Sequence, residues 1–207
     1  MGEAIITRRG GSGEAIVEFN NFIPSHVELS DEELIHSTPT PLSVARRELA
    51  GASVGNYALF AGGYDDSDYY DTVDAYDTFL TRSTPTTLSV GREDSLAGAS
   101  VGNYALFAGG FTVDAYDASL TRSTPTPLSV ARYELAGASV GDYALFAGGE
   151  IGSFPFYVST VDAYDTSLTR STPTALSAGR GAPAGASVGD YALFAGGFGG
   201  GGDSLRS

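Results

Sequence analysis

The sequence predicts an all-β fold of stacked four-stranded units, and three observations carry that prediction. The string Ala-Gly-Ala-Ser-Val-Gly-(Asn or Asp)-Tyr-Ala-Leu-Phe-Ala-Gly-Gly occurs four times, at 50–63, 97–110, 136–149 and 184–197. A Ser-Thr-Pro-Thr tetrad precedes each copy, beginning at Ser37, Ser83, Ser123 and Ser171. Three of the copies are followed by Val-Asp-Ala-Tyr-Asp, whose apolar and polar residues alternate with the period of a strand. Internal repeats on this scale mark supersecondary units that bury their apolar faces only by stacking on neighbours. No segment carries a 3.6-residue apolar period with helix caps, so a helical solenoid is excluded.

Residues 97–125 give the elements of one unit in order. Ala97–Val101 and Tyr104–Ala108 flank Gly102-Asn103, a pair that accepts the positive φ of a tight two-residue hairpin turn. The same pair recurs as Gly55-Asn56, Gly141-Asp142 and Gly189-Asp190. A double glycine ends the second strand. Thr112–Asp117 reads as a third strand and Leu120–Thr124 as a fourth, closed by Pro125, which cannot continue a ladder interior. Four short antiparallel strands in about 40 residues make one blade of a β-propeller.

A strand ending in Gly-Gly, then a Val-x-x-Tyr-Asp strand, then a Pro-containing segment leading to Arg, resembles the kelch repeat. The matching residues are Gly62, Gly63, Val73, Tyr76, Asp77 and Arg92; then Gly109, Gly110, Val113, Tyr116, Asp117 and Arg132; then Gly148, Gly149, Val161, Tyr164, Asp165 and Arg180. The resemblance covers about 26–197. Kelch repeats usually carry a fourth-strand Trp, and this chain has no Trp, so Leu80, Leu120 and Leu168 are expected to fill that space.

The fourth copy stops after its second strand. At the other end, residues 26–40 align without gaps on 72–86, setting Val27 on Val73, Glu28 on Asp74 and Leu34 on Leu80. The expected fold is therefore a four-bladed kelch-like β-propeller in which residues 26–36 complete the last blade and remove its exposed edges. An arc that closes on a second copy of the chain, a homo-oligomer, is the alternative. The predicted organisation is an attachment or extension segment at 1–25, the propeller at 26–197 and a Gly-rich flexible tail at 198–207.

Composition narrows the partners. Net charge is −14 and all eleven basic residues are Arg, a surface that repels phosphate backbones, so nucleic acid is not expected as a partner. With no Cys, disulfides and thiolate metal sites are excluded. No apolar run reaches the length of a membrane span, so membrane insertion is not expected. The opening residues carry their charges after a very short apolar run, the wrong order for a secretory signal.

Strand order puts the second-to-third-strand links on the same rim as the links between blades, and that rim holds nearly all the variation. Copy one inserts Tyr64-Asp65-Asp66-Ser67-Asp68-Tyr69-Tyr70-Asp71, copy two only Phe111, and copy three residues 150–159. Loops on a rigid scaffold carry function, and aromatics are favoured contact anchors. Tyr64, Asp66, Asp68, Tyr69, Tyr70, Phe111, Phe154, Phe156 and Tyr157 are the candidate contacts for a glycan or protein surface. The competing expectation is that these aromatics pack on neighbouring blades. Asp65, Asp66, Asp68 and Asp71 lack the Gly and Glu of an EF-hand loop, so a solvated acidic loop is expected and no metal site is assigned.

Asp74, Asp114 and Asp162, with Asp77, Asp117 and Asp165, recur in matching surroundings, whereas catalytic carboxylate pairs need contrasting ones. They are expected to accept turn amides or to pair with Arg46, Arg92, Arg132 and Arg180 as structural inter-blade contacts. The kelch resemblance also brings enzymes to mind, among them a copper oxidase and a sialic acid epimerase. Copper needs His ligands, and His26 and His36 are the only two. No catalytic residue and no cofactor is assigned. Ile-Ile-Thr-Arg-Arg-Gly-Gly resembles the opening of short phage tail proteins, which implies a virion setting with the propeller facing a host surface. The alternative is a cytoplasmic kelch-type scaffold, and the third is a carbohydrate-active enzyme.

Overall fold

A computed structural model describes residues 38–91 and 96–199 in full, and the backbone of 5–10 and 32–37. The chain divides into two compact units, residues 1–41 and 42–207. All the regular structure described is β-strand.

In the first unit β1 (Ile5–Gly10) pairs antiparallel with β2 (Glu32–Ser37), Ile5 opposite Ser37 and Gly10 opposite Glu32. This departs from the expectation that 26–36 furnish the outer strands of the fourth blade. The register sets Arg9 opposite Glu33. Residues 26–31, with Val27 and Glu28, lie outside the described residues, as do most of 1–25, Arg92 and the tail from 200.

The second unit holds the repeats. The first sheet comprises β3 (Ala50–Val54), β4 (Tyr57–Ala61), β5 (Val73–Tyr76) and β6 (Arg82–Ser83). The second comprises β7 (Ala97–Val101), β8 (Tyr104–Gly109), β9 (Thr112–Asp117) and β10 (Arg122–Ser123). The third comprises β11 (Ala136–Val140), β12 (Tyr143–Ala147), β13 (Val161–Asp165) and β14 (Arg170–Ser171). Each is an antiparallel meander in chain order. The fourth sheet has only β15 (Ala184–Val188) and β16 (Tyr191–Ala195), and no third strand joins it among the described residues.

Each hairpin turns as the sequence predicts. Val54 faces Tyr57 across Gly55-Asn56, and φ is positive (+53°) at the glycine alone, as in a type II′ turn. The predicted fourth strand is shorter than expected. Asp117 captures the amides of Ser119 and Thr121, which holds Leu120 at φ +61° and leaves only Arg122–Ser123 to pair. Leu80 and Leu168 adopt the same conformation. Leu120 and Leu168 pack against the apolar clusters.

The inner strands β3, β7, β11 and β15 lie side by side in that order, while β3 and β15 do not pack together as neighbours do. Each junction joins two unlike faces. The leading face of the first sheet (Val54, Leu59, Val73, Ala75) meets the trailing face of the second (Ala105, Phe107, Tyr116). Val101, Leu106, Val113 and Ala115 likewise meet Ala144, Phe146 and Tyr164. Between inner strands the backbones nearly touch: a Cβ on Gly98 would overlap the Gly51 carbonyl oxygen, and one on Gly137 that of Gly98. A serine closes each contact. Ser100 Oγ accepts from Ser53 N at 3.1 Å and donates to Ser53 O at 2.7 Å. Ser139 Oγ accepts from Ser100 N, and Ser187 Oγ bonds both N and O of Ser139. On β3, β7 and β11 the backbone of this serine is thus met by the repeat that follows.

Candidate functional site

The variable loops of the first and third sheets lie on one rim because each is tied to the link entering its own sheet. Arg47 bridges Tyr64, Tyr133 bridges Glu150 and Gly181 bridges Phe198, one such pair in each of the first, third and fourth repeats. Gly110 also bridges Arg132, so the loop of the second sheet is joined to the link entering the third.

The first loop is folded on itself. Asp65 Oδ1 accepts the amides of Ser67 and Asp68 at 2.7 and 2.8 Å, and Oδ2 accepts the Tyr70 hydroxyl at 2.8 Å. The Ser67 amide foremost holds the Asp65 carboxyl below its ordinary range, and Asp65 in turn raises the Tyr70 phenol. The Tyr64 and Tyr69 rings pack 5.7 Å apart, the Arg47 guanidinium lies 4.4 Å from the Tyr64 centroid, and Arg47 pairs with Asp66 at 2.8 Å. Residues 64–69 with Arg47 line a shallow cleft of about 220 Å³. Among the described residues no group of three or more His, Asp or Glu is placed to hold a metal ion.

The third loop turns back through Phe156 N to Ser153 O and Ile151 N to Phe156 O, which lifts Phe154 and Phe156 out as an edge-to-face pair 6.3 Å apart. Phe154 is 85 % exposed. Phe156, Phe111 and Tyr69 are exposed as well. Tyr157 is half-buried, and a Cβ on Gly181 of the next link would press on its ring. The candidates therefore divide. Tyr64, Tyr70 and Tyr157 are engaged internally, Asp66 is spent on Arg47, and Asp68 lines the cleft. Tyr69, Phe111, Phe154 and Phe156 face solvent.

The repeated carboxylates sort into two structural roles. Asp77, Asp117 and Asp165 each accept two turn amides. Asp74 and Asp162 are fully buried, pair with Arg46 and Arg132 at 2.8 and 2.7 Å, and accept the amide and hydroxyl of Ser43 and Ser129. Arg46 also donates to Gly62 O and Phe60 O, so these arginines fasten each link to the sheet it enters. Arg180 keeps the contact to Gly196 O but makes no ion pair among the described residues, since no third strand brings a carboxylate. Sequence reasoning missed Arg82, Arg122 and Arg170, which approach Asp74, Asp114 and Asp162 at 3.6–3.9 Å. It also missed the serine ladder. The serine's place in all four copies and the arginine's before three of the four Ser-Thr-Pro-Thr tetrads were the available signals.

No protein-family model matches the chain, and no curated protein matches it.

Proposed function

We propose that the four repeats are kelch-like propeller blades and that the array is a non-catalytic binding module for a glycan or protein surface, which it meets with the rim of variable loops. The observation that supports this reading most directly is the solvent exposure of Tyr69, Phe111, Phe154 and Phe156 on loops that are themselves held by hydrogen bonds. Rigid aromatic anchors on a fixed scaffold lose little conformational entropy on binding. The repeated carboxylates offer no opposing support for catalysis, because their acceptor positions are taken by arginine, serine and turn amides.

A glycan array and affinity capture with the purified chain test the reading. Replacing Tyr69, Phe111, Phe154 and Phe156 together by Ser abolishes binding and leaves the melting temperature unchanged. Binding that survives the fourfold replacement would show that the contact lies elsewhere. Attachment to a phage tail-type particle through residues 1–25 is the accompanying proposal, supported by the sequence of the leader.

A further inference from the structure

We infer that the two ends of the repeat array are complementary and join copies of this chain head to tail, the leading face of the fourth repeat seating the trailing face of the first repeat of a second copy. Ends of stacked-repeat arrays ordinarily carry a polar outer face. Here the last repeat carries the same apolar residues as the internal ones. Val188, Tyr191 and Leu193 are 61, 69 and 51 % exposed, whereas their counterparts Val101 and Leu106 are sealed beneath the next sheet.

The opposite end offers the matching surface. Ala58 is exposed and Phe60 half-buried, while the equivalent Ala105, Phe107, Ala144 and Phe146 are fully covered by the preceding sheet. The backbone ladders stop at the same two places. Ser187 stands where Ser53, Ser100 and Ser139 each receive a serine Oγ from the following repeat, and no described residue supplies one to it. Ser53 is exposed, and nothing but its own sheet comes near a Cβ placed on Gly51. At the hairpin tips, Gly55 and Gly102 lie against Ala118 and Thr166, which follow the third strand of the next repeat, while Gly141 and Gly189, with no such strand beside them among the described residues, have nothing within 4 Å. A second copy supplies Ser53 Oγ to Ser187, Gly51 to the Gly185 carbonyl and Thr78 to Gly189. The contact extends the three junctions already present inside the chain, and it is heterologous, so its repetition builds a ring or an open row of copies.

Light scattering on size-separated full-length chain tests this. The wild type is expected to show a mass of two or more chains that rises with concentration. Gly51→Val blocks one end and Leu193→Glu the other; each alone is expected at the mass of one chain with strand content and melting temperature retained. An equimolar mixture of the two variants has one intact end of each kind, and its expected mass is two chains. A single-chain mass for the wild type at every concentration, or for the mixture, overturns the proposal. So does an assembly that neither variant breaks. A monomer in which Gly51→Val lowers the melting temperature as far as Gly98→Val would mean that the ring closes within one chain, which also overturns it.

Discussion

The Arg132 guanidinium lies 2.7 Å from the Asp162 carboxylate with both side chains sealed from water. Removing one member of such a pair strands the other charge, which costs about 3–5 kcal/mol. Asp162→Ala is expected to lower the urea midpoint accordingly. Arg180→Met removes a buried guanidinium that pairs with no carboxylate among the described residues, and its effect is expected to lie within about 1 kcal/mol of zero. Equal losses in the two variants would contradict the assignment.

Gly98 and Gly51 hold the same place in adjacent repeats, yet among the described residues only a Cβ on Gly98 would meet a neighbouring sheet's backbone. Gly98→Ala forces the inner strands apart and is expected to cost about 1–3 kcal/mol. Gly51→Ala, measured in dilute solution, is expected to be neutral or to stabilise by about 0.4–1 kcal/mol, because the unfolded chain loses freedom and no left-handed φ is involved. Denaturation curves of the two variants decide it.

Acid is expected to weaken the array through its turns. The Ser119 hydroxyl first, then the Thr121 amide, hold the Asp117 carboxyl below its ordinary 3.8; Ser167 and Thr169 do the same for Asp165. A carboxyl depressed in the folded state contributes stability above its unfolded value and loses it as pH falls through the folded one. The melting temperature should therefore drop on acidification below about pH 4. In Asp117→Asn and Asp165→Asn that drop should shrink; an unchanged slope would remove these turns from the account.

Asp65→Ala takes away the acceptor of two amides and the Tyr70 hydroxyl at once. The expected result is faster protease cleavage between Tyr64 and Tyr70 with the melting temperature of the sheets unchanged. Cleavage at the wild-type rate would mean that the loop is held by other contacts.

Hairpins, third strands and the common rim were legible because each is set by local chemistry: a Gly-Asn pair, a period of two, a Gly-Gly stop. The paired roles of Asp77 and Asp74 were legible as well, since a residue repeated in matching surroundings points to structure. What escaped was set by competition between distant partners. Glu32–Ser37 has the pattern of an outer blade strand, but the pairing it makes is with Ile5–Gly10, and nothing in its own alternation distinguishes the two. Phe154 and Tyr157 look alike as sequence, yet one stands clear and the other lies over Gly181, a distinction made by the neighbouring link.

The serine that caps each inner strand belongs to the unit downstream, never to the strand it caps. A gene that gains or loses one such unit by unequal recombination consequently recreates a working seam at the splice with no compensating mutation. The number of repeats can change in this way, while the loops on any one repeat diversify undisturbed.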